Sequence, residues 1–598
     1  MAVVGTTTSR SERPRLCALA LLATGIALCL AQPGCSEKTQ GASDAAAPAV
    51  DLPPVPKPAD LAATFVVGKP GETWGKLRET GGGPARLLPQ SFGLLVSTML
   101  GLPAAAADAV DADVPMTGAA TSDEQGAVQV AVAIHVRSGR ELTARLSAGA
   151  DAPYAAREDA ASGVILLEPK PGKASTGVAL GITGNYLLAS RRAGDLTKVG
   201  PYAARTLPKE PPAKRPIALA LEKRALAGPL ATLIRDTWKQ KKSELEKLDD
   251  DNRQKHGGRA PDFGDPRAAL SGLSAAVDAF VNVLSSSAAG RVVAEPHGDR
   301  LELVAELDAE REGAAADTFA AFAVGDAAPL TELPALVPIA VLTRTTAASR
   351  QASAKSMDQG IGGLLADRLT EPDREKIRAV LEKLSQGRGD WESYGVFLEN
   401  GKGGLLYRAA VSDAKQFDAG AKDLFKLLSI KALAEPLRQF AGDTTLKQST
   451  AELPGVPGKT QRTLIALKPS PMRAAGDKTG KISTEAQNLE LLWAHKDARV
   501  LGAGSLDAVP ILGALVGAES DPKLSHKGEA RVAAALGRVS DASFVVLVQP
   551  LRLTGSATSA PNAPVVLSLG RRERTGFLRA EADSAALESV LKSLVLGR

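Results

Sequence analysis

Cysteine is scarce in this chain of 598 residues. Two of its three cysteines, Cys17 and Cys29, lie in an apolar N-terminal segment, so a body that begins after that segment retains only Cys35. Such a body has no internal disulfide, no cysteine nucleophile and no thiolate metal site. We therefore expect it to be stabilised by its hydrophobic core, which 44% apolar residues can supply.

Aromatic residues and concentrated positive charge are also scarce. Aromatic side chains make up 4% of the chain, which disfavours a stacking surface for single-stranded nucleic acid. The formal net charge is +5, and no basic run is interleaved with aromatic residues. Since nucleic-acid-binding proteins normally have a concentrated basic face, we expect no nucleic acid among the partners.

The first 34 residues have the organisation of an export signal. Arg10, Arg13 and Arg15 precede an uncharged apolar run of 16 residues, 16–31. A basic region followed by a hydrophobic one is typical of such signals. A membrane-spanning helix needs about 20 apolar residues, so a permanent transmembrane anchor is the weaker interpretation.

The stretch CLAQPGCSEKTQ, residues 29–40, resembles the end of a bacterial lipoprotein leader. Gly34 is the small residue that this family carries before its cysteine, and the resemblance implies that Cys35 receives a lipid. An ordinary signal peptide cleaved after Ala31 is the alternative, because Gln32 stands where the family usually has leucine.

After the cysteine, the composition changes to that of a tether. The resemblance implies that Ser36 directs the protein to the outer membrane, on its periplasmic or surface side. Residues 36–59 contain five prolines and no aromatic residue, so they bury too little apolar area to offset the entropy of ordering. We expect residues 35–60 to be a lipidated cysteine and a disordered tether with a stiff, Pro-rich end.

The rest of the chain alternates short strands with amphipathic helices, and one arrangement recurs. Period-two alternation with charges on one side predicts half-buried strands, and turns such as Asn400-Gly401 predict hairpins. The predicted hairpin-plus-helix segments are 291–322, 394–428 and 565–595. Short leading strands are predicted to begin at Thr64, Pro216, Pro338 and Ser543.

These patterns predict an α+β fold, with degenerate modules of antiparallel strands and hairpins covered on one face by helices. The predicted modules follow the export signal and the tether. They are 61–208, 209–333, 334–518 and a C-terminal strand-hairpin-helix module at 519–598. A charged helix followed by a long connection is predicted at 238–267.

Fragments of a serine-acylation motif occur but do not form a coherent set. Ser412 to Lys415 and Ser520 to Lys523 match the Ser-x-x-Lys of penicillin-binding proteins and β-lactamases, and Lys478 begins a Lys-Thr-Gly sequence. The Ser-Asp-Asn element of that pattern is missing. We interpret Ser412 as a helix N-cap instead.

Other short motifs are better explained by structure than by chemistry. The GVPGKT sequence at 455–460 resembles a phosphate loop, but Pro457 removes a backbone N–H and a strand follows, so we predict a hairpin turn. The five histidines are isolated in sequence, and Asp249-Asp250-Asp251 lacks the pattern of a calcium loop. We therefore expect no catalytic residue, no cofactor and no metal site.

The sequence as a whole predicts a lipid-anchored protein of the bacterial cell envelope with a non-enzymatic binding or scaffolding role. Its expected partners are the membrane, through the lipid on Cys35, and an envelope protein or hydrophobic ligand. One alternative is a periplasmic carrier of lipids or other hydrophobic ligands, with a cavity between sheet and helices. A second is an unrecognised serine hydrolase, which would need a basic partner for Ser412 or Ser520 in an open cleft.

Overall fold

The computed structural model describes residues 52–172, 177–211, 215–255, 266–365, 368–399, 402–435, 444–467, 487–553 and 563–596. The predicted export signal, Cys35, the Asn400-Gly401 turn and Lys478 to Gly480 lie outside these ranges.

The fold is α+β, which confirms the predicted class. The chain divides into two compact units. Unit 1 takes the described residues up to Asp236, Val281–Ala315 and the residues from Glu581 onward. Unit 2 takes Thr237–Phe280 and Ala316–Ala580.

The strands are numbered in chain order. The first ten are β1 (Leu61–Val67), β2 (Met116–Ser122), β3 (Val128–His135), β4 (Tyr154–Asp159), β5 (Val164–Pro169), β6 (Ala179–Thr183), β7 (Tyr186–Ser190), β8 (Ile217–Glu222), β9 (Ser287–Pro296) and β10 (Arg300–Ala309). The others are β11 (Ile339–Arg344), β12 (Arg388–Glu399), β13 (Lys402–Val411), β14 (Thr444–Ala451), β15 (Thr460–Leu467), β16 (Gln487–Lys496), β17 (Arg499–Ser505), β18 (Ala542–Val548), β19 (Val565–Arg572) and β20 (Thr575–Asp583).

The helices of more than one turn are numbered in the same way. They are α1 (Pro70–Thr80), α2 (Phe92–Leu100), α3 (Gly139–Ser147), α4 (Ala193–Arg205), α5 (Ala231–Lys255), α6 (Pro266–Ser285), α7 (Ala314–Ala320), α8 (Ala347–Leu365), α9 (Glu371–Gly387), α10 (Ala414–Lys426), α11 (Val509–Ser520), α12 (Ala530–Gly537) and α13 (Ser584–Leu596). The helix predicted from residue 238 is the second part of α5.

The same order of antiparallel strands occurs twice in the chain. In the first half the order is β4–β5–β6–β7–β3–β2–β1–β8–β9–β10. In the second half it is β14–β15–β16–β17–β13–β12–β11–β18–β19–β20. Each strand of the second half therefore has an equivalent whose number is lower by ten.

This duplication explains the recurrent patterns in the sequence. The ranges 61–208 and 334–518 contain the equivalent strands β1–β7 and β11–β17, and the ranges 209–333 and 519–598 contain β8–β10 and β18–β20. The four leading strands form two equivalent pairs, β1 with β11 and β8 with β18. The repeat visible in the sequence is therefore a repeat of ten strands.

Turn residues account for two of the predicted hairpins. The backbone N–H of His297 donates to the carbonyl of Arg300 at 2.9 Å, and Gly298 takes a φ of 85° between them. The GVPGKT sequence joins β14 to β15, so its prediction as a hairpin turn is confirmed. Gly458 has a φ of 72° there, a conformation that glycine adopts without strain.

Residues 52–60, which belong to the predicted tether, precede β1 without regular secondary structure and are bonded to unit 1. Arg205 donates through Nε to the carbonyl of Pro53 at 2.8 Å. Thr206 accepts a hydrogen bond from the N–H of Val55 at 2.9 Å, and its hydroxyl donates to the carbonyl of the same residue at 2.7 Å. The Pro-rich stretch therefore follows the end of α4 at this point.

The sheet of unit 2 has two different faces. The inner face carries Ala340, Leu342, Leu406 and Leu501, which are buried in one core with residues of α11 and α12. We call the opposite face the outer face. At one end it is covered by α10, whose Phe417 is buried against neighbouring strands.

A buried arginine lies on the inner face of unit 2. The side chain of Arg408 on β13 is 1% exposed, and its Nε donates to Glu519 of α11 at 2.7 Å. Its other nitrogens donate to Glu332 and, at 3.1 Å, to the carbonyl of Pro329, and its guanidinium lies 5.0 Å from the ring centre of Trp391. One side chain thus connects the sheet to α11 and to the segment before β11.

Further charges surround the two carboxylates. Lys496 lies 3.1 Å from Glu519, and Lys527 lies 3.0 Å from Glu332. Burial tends to raise the pKa of Glu332, but the charges of Arg408 and Lys527 outweigh it and lower that pKa. The Glu332 carboxylate is therefore held as an anion among cations.

We expect Arg408→Leu to lower the free energy of unfolding by about 3 kcal/mol, because it leaves the Glu519 carboxylate buried without its closest partner. Urea denaturation measures this loss. Arg572→Leu is the control, because Arg572 is 56% exposed in its pair with Asp541 and should cost less than about 1 kcal/mol. Equal losses for the two variants would contradict the importance of the buried network.

Candidate functional site

A cluster of aromatic and polar side chains lies on the outer face of unit 2. Tyr394 on β12 is opposite Tyr407 on β13, and the two ring centres are 5.2 Å apart. Because side chains alternate along a strand, Glu392 lies on the same face as Tyr394. We call the following residues the outer-face cluster: Arg388, Glu392, Tyr394, Tyr407, Phe417, Asp418, Trp493 and His495.

Glu392 is the first acidic centre of the outer-face cluster. Its carboxylate accepts from the hydroxyl of Tyr394 at 2.8 Å and from that of Tyr407 at 3.3 Å. Arg388 donates to both carboxylate oxygens at 3.2 Å. Burial, and next the charge of Glu392, raise the pKa of both tyrosines. The two hydroxyls therefore remain protonated donors at neutral pH.

Asp418 on α10 is the second acidic centre. Its Oδ1 accepts from Nε1 of Trp493 at 3.0 Å and lies 2.8 Å from Nε2 of His495. Burial tends to raise the pKa of Asp418, but these two hydrogen bonds together outweigh it and lower that pKa. Nδ1 of His495 is buried and has no hydrogen-bond partner among the described residues.

Aromatic rings connect the two centres. The ring of Phe417 lies 6.4 Å from that of Tyr407 at an angle of 10°, and 6.1 Å from that of His495 at an angle of 88°. Phe425 stacks on Trp493 with ring centres 6.3 Å apart. Such stacked and edge-on pairs have preferred geometries, so they stabilise the orientation of the rings more than apolar burial alone would.

The first half of the chain provides an internal comparison for the outer-face cluster. Val136 donates its N–H to the carbonyl of Asn185, and Val411 donates in the same way to Ala498. Val411 is therefore equivalent to Val136, and four residues earlier Tyr407 is equivalent to Val132. The helix caps support this equivalence, since the N-cap residues Ser138 and Asp413 stand two residues after Val136 and Val411.

The equivalent residues of unit 1 are apolar or small. Strand registers give a row Phe65, Gly118, Val132, Ala189 and Leu180 across unit 1. The equivalent row across unit 2 is Val341, Tyr394, Tyr407, Gly502 and Trp493. By the same register, His495 stands where unit 1 has Ile182. The fold therefore does not itself require polar groups at these positions, and unit 2 differs in having them.

The outer face also carries two rows of mostly apolar side chains that cross five strands, which we call the apolar rows. The first row shares Tyr394 and Tyr407 with the outer-face cluster. The first is Leu567, Val546, Val341, Tyr394 and Tyr407. The second is Val565, Val548, Ile339, Val396 and Leu405. Leu405 is 64% exposed and Leu567 39% exposed. The first row is therefore open to solvent at its β19 end, and the second row at its β13 end.

The equivalents of this surface in unit 1 are more enclosed. Phe544 and Leu569, which extend the apolar rows, are exposed. The residues of unit 1 at the equivalent positions are Ile217 and Ala294, and both are buried. Exposure of this strand face is thus a property of unit 2.

The structure places the serines of the two Ser-x-x-Lys fragments apart from any base. Oγ of Ser412 lies within hydrogen-bonding distance of the carbonyls of Gln386 and Arg388, and Ser520 donates to the carbonyl of Val516 at 3.1 Å. Neither serine has a basic side chain as hydrogen-bond partner among the described residues.

The interpretation of Ser412 as a helix N-cap was wrong. The N-cap of α10 is Asp413, whose Oδ1 accepts from the N–H groups of Lys415 and Gln416. A cap must reach the second or third N–H of its helix, and Ser412 stands one residue too early.

The comparisons with known proteins give no relative. No family model, no curated protein and no solved structure matches this chain. None of the helices in the described ranges has the length and apolar character to cross a bilayer. In the same ranges, no three His, Cys, Asp or Glu side chains are grouped so as to hold a metal ion.

Sequence analysis missed the outer-face cluster, although a signal for it exists. The prediction identified the hairpin that carries Tyr394 and Tyr407 but did not compare its outward positions with those of the β2–β3 hairpin. Two tyrosines in place of Gly118 and Val132 mark the difference. The partners Asp418 and His495, 77 residues apart, meet only through the strand order.

We expect Asp418→Ala to lower the free energy of unfolding by about 2 kcal/mol above pH 5, because Trp493 and His495 lose their shared acceptor. The folded-state pKa of Asp418 is lowered, so its contribution is present above the unfolded pKa of about 3.9 and is lost as the pH falls through the folded pKa. Urea denaturation from pH 3 to pH 8 measures the difference between wild type and variant.

Asp423→Ala on the same helix is the control for this prediction. Asp423 pairs with Lys383 at 2.7 Å and Lys426 at 2.8 Å, and both lysines are exposed to solvent. Its loss should cost less than about 1 kcal/mol. A loss of stability in Asp418→Ala no larger than in Asp423→Ala would show that the buried contacts add nothing.

Proposed function

We propose that this chain is a non-enzymatic binding protein of the bacterial cell envelope, anchored in the outer membrane through a lipid on Cys35. We further propose that its outer face in unit 2 binds a protein partner. The observation that carries this proposal is the pair of apolar rows, which run across five antiparallel strands and remain open to solvent.

Physical chemistry supports a binding role for this surface. Large contiguous apolar patches are rare on soluble proteins and mark interaction sites when they occur. Leu405, Tyr394 and Leu567 are exposed within one continuous strand face, whereas single exposed apolar side chains elsewhere need no explanation. The equivalent face of unit 1 is more enclosed, so exposure is not inherent in the duplicated fold.

The outer-face cluster would add polar groups of fixed orientation to this contact. Tyrosine and arginine are enriched at the centres of protein interfaces, where they combine apolar area with hydrogen bonds. Tyr394 supplies a half-exposed ring to the apolar rows, and its hydroxyl is oriented by Glu392. A partner with an apolar centre and a few polar groups at its rim fits this arrangement.

The anchor is proposed from the sequence of the leader. A basic region, an uncharged run of 16 residues and a small residue before Cys35 support lipid attachment. The Pro-rich stretch that follows continues to Pro53 and Val55, which are bonded to unit 1. A lipid on Cys35 would therefore be joined to the folded body by a short length of chain.

Metabolic labelling with a radioactive fatty acid tests the anchor. We expect the native protein to incorporate label and Cys35→Ser to incorporate none, because that side chain is the proposed attachment point. Ser36→Ala is the control and should be labelled as the native protein is. Equal labelling of native protein and Cys35→Ser would refute lipidation at this position.

Site-specific photo-crosslinking in cells tests the binding surface. We expect Leu405→p-benzoylphenylalanine to yield a discrete covalent adduct of higher mass, because the side chain lies within the apolar rows. Leu87→p-benzoylphenylalanine is the control, since Leu87 in unit 1 is 61% exposed and Leu405 is 64% exposed.

A second substitution on the same face makes the crosslinking test specific. Adding Leu567→Asp to the Leu405 variant should abolish the adduct, because it places a charge in the other exposed part of the apolar rows. Adducts of equal yield from Leu87 and Leu405, or an adduct unaffected by Leu567→Asp, would count against the proposed surface.

A further inference from the structure

A groove with a volume of about 1020 Å³ lies between the antiparallel helices α8 and α9 of unit 2. Pockets that bind small molecules are typically about 300–1,000 Å³ in volume, so the size suits a ligand. The lining runs on α8 from Gln351 to Gly362. Eleven steps of a helix correspond to a length of about 16 Å.

The two ends of the groove differ in character. Near the connection of the helices, it is lined by Ile361, Leu369 and Ile377, which belong to a hydrophobic cluster. Halfway along, Arg378 bridges to Asp358 at 3.2 Å and connects the two helices. Beyond this ion pair the lining becomes polar.

Ser385 lies at the polar end and is unusual in its hydrogen bonding. Its side chain is buried, with the residue 4% exposed, and Oγ has no hydrogen-bond partner among the described residues. It lines the groove. A buried polar atom without a partner costs about 1–3 kcal/mol, so a bound group that supplies the missing bond is favoured.

Three other serines in helices donate their hydroxyl within the helix, whereas Ser97 of α2, like Ser385, has no hydrogen-bond partner among the described residues. Ser147, Ser274 and Ser520 each donate to the carbonyl four residues earlier, at 2.8 to 3.1 Å. This back-bonding is the ordinary solution within a helix. Ser385 does not make it, so its hydroxyl remains available to a molecule in the groove.

The lining of the groove carries charges of both signs. The cationic side chains are Lys355, Arg374 and Arg378, and the carboxylates are Asp358 and Glu382. Arg378 and Asp358 neutralise each other, and Arg374 lies at the apolar end beside Gly362. Lys355 is the cationic side chain that lines the polar half of the groove, one helical turn from Gln351, and Glu382 lines the same half.

We propose that the groove between α8 and α9 binds a single-chain carboxylate amphiphile, of the class of medium-chain fatty acids. The acyl chain lies along Ile361, Leu369 and Ile377. The carboxylate accepts a hydrogen bond from Ser385 and faces Lys355. This site lies on helices that carry none of the apolar rows, and the inference does not depend on the proposed protein-binding role.

Isothermal titration of the full chain with sodium dodecanoate tests the site. We expect saturable binding at one site, weakened about fivefold by Ser385→Ala, the effect of one hydrogen bond of about 1 kcal/mol. Lys355→Glu should weaken binding about tenfold by reversing the charge beside the head group. Dodecanol, which lacks the carboxylate, should bind more weakly than dodecanoate.

Lys376→Glu is the matched control, because it makes the same change of charge on α9 at a residue that is 65% exposed and does not line the groove. It should bind dodecanoate as the wild type does. Absence of saturable binding would mean that the groove holds water only and would overturn the inference. So would equal weakening by Lys355→Glu and Lys376→Glu. Either result leaves the crosslinking test of Leu405 unaffected.

Discussion

The arrangement of unit 2 depends on one buried guanidinium. Arg408 is almost fully enclosed and donates to Glu519, Glu332 and the carbonyl of Pro329. A buried charge is tolerated only where its partners are fixed, so α11 and the segment before β11 must take positions that satisfy it. Because side chains alternate along β13, Arg408 on the inner face also directs its neighbour Tyr407 to the outer face. The two faces of the sheet are therefore coupled through a single strand.

A comparison of the two halves of the chain shows which features belong to the common fold and which are specific to unit 2. Strand order and hairpin positions are common to both halves, so these features belong to the scaffold. Arg408 stands where unit 1 has Ala133, and Tyr407 stands where unit 1 has Val132. Two successive positions of β13 thus carry a charge on one face of the sheet and a phenol on the other, where β3 of unit 1 carries neither. Unit 1, with apolar residues at both, serves as a reference for the sheet without a polar side chain at these two positions.

Much of the fold could be predicted from the sequence because its signals are local. Short apolar segments of similar size identified the leading strands, and the turn at His297-Gly298-Asp299 identified a hairpin. The order of the strands could not be predicted, because pairs such as β3 with β7 and β13 with β17 join segments separated by a helix and further strands. The same limit applies to the outer-face cluster and to the Arg408–Glu519 pair, whose partners are 111 residues apart. Such contacts follow from topology, which no short stretch of sequence encodes.

The bonds that hold Pro53 and Val55 to unit 1 limit how far the body could move from an anchor. The chain from Cys35 to Leu52 makes 17 residue-to-residue steps, which span at most about 60 Å when fully extended. With a lipid on Cys35, unit 1 would be confined to a shell of that thickness beside the membrane. A partner held in the same membrane would then be met within this shell, at an effective concentration that is set by the length of the connecting chain.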